Sequence, residues 1–265
     1  MAEVMTKMME PSLASRPVEV ATFLTAMESS GGDALTACPG RTAHLIAAHI
    51  AGNYEEITRH VDAYLAGEPL SRTRTFDERE PKFRQLSASA LVAAIDDGER
   101  RMRRSLGELL EREQDPVLRW TNRQVRAAGF LKHSRSECVV HRWDIVGDDE
   151  IGEKLLAQQE LLEHVVGFIG PLSMTARGMA TGAGSGGRGF RARVRAASQP
   201  DLLIGAYRSQ PLLQLVEPEG EALIEGDPAA RLLLLWGRRP TPFGRLRCNG
   251  TGEELARVQW LLSGY

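Results

Sequence analysis

Within residues 17–146 lie four runs of helical length, each ended by a helix breaker, and that pattern leaves few folds other than a helical bundle. The first, 17–28, places Pro17 in its opening turn and Val18, Val20, Ala21, Leu24 and Met27 near one face; Ser29-Ser30-Gly31-Gly32 stops it. The second, 43–66, is capped by Thr42 and closed by Gly67-Glu68-Pro69. The third opens at Ser87 or Ser89 and runs to about Arg112 on Leu91, Ile95, Met102, Leu106, Leu109 and Leu110. Asp115-Pro116 breaks the chain before the fourth, 130–146. Between the second and third, residues 71–82 are polar and Arg-rich and read as a connecting loop.

A further helix is expected over 153–169, ending at Gly170-Pro171. Beyond it come short segments of strand character at 190–195, 212–216, 222–225 and 245–248, with helices at 228–235 and 253–262. The fold class is therefore mainly α with a C-terminal α+β domain: a bundle over 1–175 and a small domain over 176–265. The glycine-rich stretch 181–189 reads as a linker. Gly182-Ala183-Gly184-Ser185-Gly186-Gly187 has no strand before it and no Lys-Ser/Thr after it, as a phosphate-cradling loop requires.

With 42% hydrophobic and 26% charged residues and a formal net charge of −2, composition gives no reason to expect nucleic acid or an anionic membrane. Cys38, Cys138 and Cys248 are far apart and form no CxxC pair, so neither a zinc ribbon nor a disulfide framework is expected. No apolar run is long enough to cross a membrane, and a cytoplasmic location is expected.

Chemistry concentrates in Glu137-Cys138-Val139-Val140-His141-Arg142-Trp143-Asp144. On a helix, Glu137 and His141 are stacked on one face and can close on one divalent ion. A carboxylate inside so apolar a helix needs a partner, which a metal, Arg or Lys can supply. The second run carries His44, His49 and His60. His49, among Leu45, Ile46, Ala48, Ile50 and Ala51, should face the bundle interior; His60, beside Arg59 and Asp62, should face solvent; His44 sits at the entrance turn. His49, Glu137 and His141 would together make a His₂-carboxylate set with an open position, a set suited to Zn²⁺.

These segments resemble a known family. Cys38-Pro39-Gly40-Arg41-Thr42 with His49-Ile50-Ala51-Gly52, then the Glu137–Asp144 stretch, then Leu234-Leu235-Trp236-Gly237-Arg238, are similar in order to motifs of the DinB-like, mycothiol-dependent maleylpyruvate isomerase family. The resemblance implies a DinB-like four-helix bundle followed by a sterol-carrier-like domain, with His49, Glu137 and His141 as the metal ligands. One departure stands out: the family's Trp after Cys-Pro-Gly is Arg41 here.

The resemblance implies mycothiol, an actinobacterial thiol, as co-substrate. A metal with an open position can hold a thiol as thiolate for attack on an electrophile. S-transfer to a small electrophile is the favoured outcome. The alternatives are cis–trans isomerisation of a maleylpyruvate-like diacid, which needs cationic groups for two carboxylates, and a non-catalytic regulatory metal module. Arg142 and Arg238 are the candidates for binding the thiol, Arg238 also for catalysis, with the C-terminal domain expected to bring Arg238 over the metal; Arg41 and Arg239 are further candidate cations. Cys138 or His44 would be the residue to close the metal in a purely structural site. Asp144, three residues after His141, can hold that ligand's second ring nitrogen, and Trp143 should pack beneath the metal helix. Oligomeric state is not legible in the sequence.

Overall fold

The computed structural model describes residues 13, 15–121, 123–170, 190–207, 210–239 and 245–262. The N-terminal leader and the glycine-rich stretch 181–189 lie outside the described residues. The chain forms two compact units, Met1–Gly147 and Asp148–Tyr265.

In the first unit the four expected runs are helices α1 (Val18–Ser29), α2 (Ala43–Leu65), α5 (Ala88–Arg112) and α6 (Gly129–Val146). Thr42 caps α2 through Leu45 N–H and Ser87 caps α5 through Ala90 N–H. The most extensive packing is α2 on α5, followed by α1 on α6. Gly98 permits the first: a Cβ there would stand 3.2 Å from Tyr54 Cβ. From His133 to Asp144 every residue of α6 is buried, so this helix is enclosed all round and its charged residues must find partners inside. Arg135 finds one in Glu19 of α1, at 2.7 Å.

The stretch expected as a loop instead carries two short helices, α3 (Phe76–Arg79) and α4 (Pro81–Arg84). Thr75 and Glu78 form a capping box that starts α3, and Arg72 pairs with Glu78. A hairpin of β1 (Val117–Trp120) and β2 (Arg123–Arg126) follows α5, turning Leu118 and Trp120 inward. Four-residue strands are too short to register as a period-two pattern in sequence.

The second unit begins before the boundary expected near residue 175. Its first helices, α7 (Glu150–Leu156) and α8 (Gln159–His164), pack on α9 (Pro228–Leu235), which places them with the α+β elements. The single helix expected over 153–169 is interrupted because Gln158 is extended (φ −63, ψ 121), and it ends in a π-helical turn, Val165–Ile169. The five-stranded sheet consists of β3 (Phe190–Ala196), β4 (Asp201–Tyr207), β5 (Gln210–Val216), β6 (Ile224–Gly226) and β7 (Leu246–Cys248), in the order β5-β4-β3-β6-β7. Only the β3–β6 pair is parallel, bridged in sequence by the β4–β5 hairpin. Asp227 caps α9, and α10 (Gly252–Leu261) closes the unit against β4. Among the described residues no helix is long and apolar enough to cross a membrane.

Candidate metal centre

His49 of α2 and Glu137 and His141 of α6 converge in the interior of the first unit, with one ligating atom from each lying within 4.8 Å of the others. Each is nearly enclosed, at 7, 4 and 8% exposure. His49 Nε2 is 3.2 Å, and His141 Nε2 3.6 Å, from the same Glu137 oxygen, Oε2. Both rings are held from behind. His49 Nδ1 meets Glu80 Oε1 at 2.8 Å, and His141 Nδ1 meets Asp144 Oδ2 at 2.8 Å. A carboxylate can only accept, so each Nδ1 carries the proton and donates it, and each Nε2 then presents a lone pair. Two imidazole lone pairs and a carboxylate oxygen facing one point repel one another, and a cation among them removes that repulsion. The donor set therefore fits a divalent ion.

Other groups complete the surroundings. Asn53 Nδ2 lies 3.0 Å from His49 Nε2 and donates to Glu137 Oε2 at 3.3 Å. His133, one turn before Glu137 on α6, places Nε2 3.8 Å from its other oxygen. The Phe76 ring covers one side of His49 at 5.0 Å, edge to face.

The electrostatics follow from burial set against partners. Burial opposes the charge of Glu137, but when His141 and His49 are also protonated on Nε2 their hydrogen bonds hold its pKa well below the ordinary carboxylate value. Burial likewise opposes the imidazolium of His141, yet Asp144 and Glu137 outweigh it and the pKa is raised. Glu80 is fully enclosed; His49 and Arg84 overcome the cost of burial and bring its pKa down to about 2. His133 has the opposite balance, and burial lowers its pKa.

Residues 17–146 match the family profile of the mycothiol maleylpyruvate isomerase N-terminal domain. The first unit thus carries a mycothiol maleylpyruvate isomerase N-terminal domain. Its fold is that of the crystal structure of the mycothiol-dependent maleylpyruvate isomerase, at 16% identity and a TM-score of 0.56, over 84% of this chain and 87% of that one. A histidine-to-alanine mutant of that isomerase matches at 16% identity and a TM-score of 0.55, over 84% and 86%. No curated protein sequence matches significantly.

At the position where this chain departs from the family pattern, Arg41 Nη1 lies 3.8 Å from Glu80 Oε2 and the guanidinium 5.8 Å from the Phe76 ring. The residue in place of the family's Trp thus contacts the carboxylate that holds His49. His44 lies outside the ligand set: its Nε2 is 3.0 Å from the Arg84 carbonyl oxygen. Cys138 also points elsewhere, to the Tyr54 hydroxyl at 3.2 Å. Trp143 is buried on α6. The solvent-facing placement expected of His60 is corrected: it is 1% exposed, 3.3 Å from Glu56 Oε1 and edge-on to Trp120. Glu56, itself fully buried, supplies the polar partner that lets the His60 ring lie inside. Arg142 is buried on α6 beside His141. Arg238 belongs to the second unit, where it follows Gly237 (φ +72) and donates from Nη1 to the Trp236 carbonyl at 2.7 Å.

Sequence reading missed Glu80, Asn53, Phe76 and Arg79. Three of these lie in the stretch taken as a loop, although Thr75-Phe76-Asp77-Glu78 carries the capping-box spacing that announces a helix start. Asn53 falls one helical turn after His49 on the same face, a spacing that could have flagged it.

Proposed function

We propose that this protein is a metal-dependent enzyme that uses a small thiol, mycothiol, to isomerise an unsaturated diacid of the maleylpyruvate kind. One observation carries this reading: both histidine Nδ1 atoms are taken by buried carboxylates, so His49 Nε2, His141 Nε2 and Glu137 Oε2 are left to face one another. A divalent ion held there, zinc being the one this donor set suits, would acidify a coordinated thiol and polarise a substrate oxygen. Glu80 and Asp144 fix the tautomers of the two histidines. Glu137 contributes the negative charge that balances the cation, and Asn53 can donate a hydrogen bond to a group arriving beside it. Arg142 and Arg238 are assigned to the thiol, Arg238 also to the reacting substrate.

Isomerisation then needs no redox step. The sulfur adds to one alkene carbon as the electron pair moves toward the conjugated carbonyl. The former double bond rotates, the C–S bond breaks, and the thiol returns unchanged. S-transfer shares the first step and stops at the adduct. The match of the first unit to the isomerase N-terminal domain and the fold of the solved isomerase support isomerisation over the transfer favoured by sequence reading. A purely structural site would be closed by a fourth protein ligand. Among the described residues the set has three members, which supports turnover.

The test is to incubate the zinc-loaded protein with mycothiol and maleylpyruvate and to follow the trans product and any thioether by mass spectrometry. Thiol-dependent trans product with no net thiol loss is expected; accumulation of a thioether alone would establish transfer instead. His49→Ala, Glu137→Ala and His141→Ala should each lose the bound ion. Arg238→Ala should keep it while turnover falls more than about tenfold, or ~1.4 kcal/mol of transition-state stabilisation.

A further inference from the structure

A cavity of about 540 Å³ in the first unit is lined by Arg72, Arg74, Phe76, Arg79, Thr121 and two further threonines. Phe76 is shared with the metal centre, its ring lying 5.0 Å from that of His49. Three guanidinium groups line the cavity, and among the described residues no acidic side chain does. The carboxylates that pair with them, Glu78 with Arg72 and Glu55 and Glu56 with Arg74, are absent from the lining. Arg79 is 4% exposed and fixed in place: Nη2 donates to Asn53 Oδ1 at 2.5 Å, and the guanidinium packs 4.8 Å from Phe76 and 5.9 Å from Trp120. The amide of that same Asn53 touches His49 and Glu137, which joins the cavity to the metal ligands.

Thr121 is the least explained residue of this wall. It follows β1 with φ +46, a left-handed backbone that a β-branched residue rarely adopts and that Gly, Asn or Asp would accept at a hairpin turn. Its Oγ1 is buried without a hydrogen-bond partner. The turn accounts for the backbone but not for a threonine there. Rotation about χ1 carries the orphaned hydroxyl to another staggered position, from which it can donate to a ligand in the cavity.

We propose that this cavity is the carboxylate-recognition site for a small dicarboxylate substrate, with Arg79 and Thr121 as the direct donors. A planar guanidinium matches a carboxylate bidentately, and its hold on Asn53 sets that ligand beside the metal. The ligand class rests on the diacid reading above, so the test is separated from turnover.

The full-length, metal-stripped protein is titrated calorimetrically with glutarate and with butyrate. Glutarate is expected to bind in the millimolar range and butyrate at least about tenfold more weakly. Arg79→Gln and Thr121→Val should each weaken glutarate about tenfold while the proteins still take up a full complement of zinc. Thr121→Gly should raise the melting temperature, by relieving the backbone, and yet weaken glutarate. A residue kept only for the turn would raise the temperature and leave binding unchanged, which would remove Thr121 from the site. If Arg79→Gln does not fold, Thr121→Val decides. Absence of saturable glutarate binding, or equal binding of glutarate and butyrate, overturns the proposal. Glutarate binding that responds to both variants, without any thiol-dependent isomerisation, sustains the cavity and refutes the isomerase reading. Isomerisation with KM unchanged in both variants does the reverse.

Discussion

Glu80 Oε1 stands 2.8 Å from His49 Nδ1, although the two residues are 31 positions apart and reach each other from the N-cap of α4 and from α2. The same carboxylate accepts from Arg84 Nη2 at 2.6 Å and lies 3.8 Å from Arg41. Its buried negative charge is thus held by three cationic or polarisable partners and directed at one ring. Glu80→Gln keeps an oxygen that can accept from Nδ1–H but loses the charge that makes His49 the stronger donor. Zinc affinity should fall about 10- to 100-fold, read by competition with a chromophoric chelator, while saturating zinc still gives one ion per chain. Unchanged affinity would mean that Glu80 serves only to neutralise Arg84 and Arg41.

Asp144 performs the same task for His141 from one turn along the same helix, at 2.8 Å and 2% exposure. Its backbone carbonyl accepts from Ala37 N–H at 2.7 Å, a contact that any side chain keeps. Asp144→Asn should therefore leave the melting temperature near that of the parent and reduce zinc affinity by at least about tenfold. Affinity within about twofold of the parent would show that the carboxylate does not tune this ligand.

Acid sensitivity should be traceable to Glu56. This residue is fully enclosed and pays for burial through bonds with His60, Arg59 and Arg74, the last donating from backbone N at 2.7 Å and from Nε at 2.6 Å. These hold its pKa far below 4.5 in the folded chain. The unfolded state therefore binds the proton first, so the stabilisation is complete above the unfolded pKa and is lost as pH falls toward the folded one. Glu80 and Glu137, also lowered, act in the same direction. The urea midpoint should decline from about pH 5 downward. Glu56→Gln should be less stable at pH 7 and show a shallower decline; an identical slope would place the acid sensitivity elsewhere.

What was legible in the sequence, and what was not, divides on physical grounds. Long helices with one apolar face carry a period that survives any tertiary context, so α1, α2, α5 and α6 lie within a residue or two of their expected bounds. The Glu137–His141 pairing is an i, i+4 relationship fixed by helix geometry, and the apolar neighbours of His49 pointed it inward. His60 failed the same reasoning because its charged neighbours suggest an exposed face. The bundle buries Glu56 with it, a contact that only tertiary structure creates. Glu80, Arg79 and Phe76 sit on turns too short to show periodicity, and their partners lie more than twenty residues away. The supporting half of the centre is therefore built from long-range contacts. Short strands β1 and β2 escaped for the same reason, and the helix break at Gln158 follows from local backbone geometry that its sequence does not signal.

Cys138 lies between Glu137 and His141 of α6 in sequence and provides a last, independent check on the packing of that helix. Its Sγ is 3.2 Å from the Tyr54 hydroxyl, which also accepts from Ser134 Oγ at 3.0 Å. The side chain is 0% exposed. Burial pushes its thiol pKa up, and the nearby charges of Glu137, Glu99 and Glu19 push in the same direction against the Tyr54 bond. Thiolate is the reactive form, so at pH 8 Cys138 should be unreactive both for want of access and for want of ionisation. Cys38 and Cys248 are partly exposed and form no disulfide. Treating the native protein with a disulfide reagent at pH 8 should thus modify these two rapidly and the third only after denaturant is added. Zinc loading should leave this count unchanged, because the thiol faces Tyr54 rather than the ligand set. Rapid modification of Cys138 in the native chain, located by peptide mass, would mean that α6 opens readily and that its enclosed ligands are not held as described.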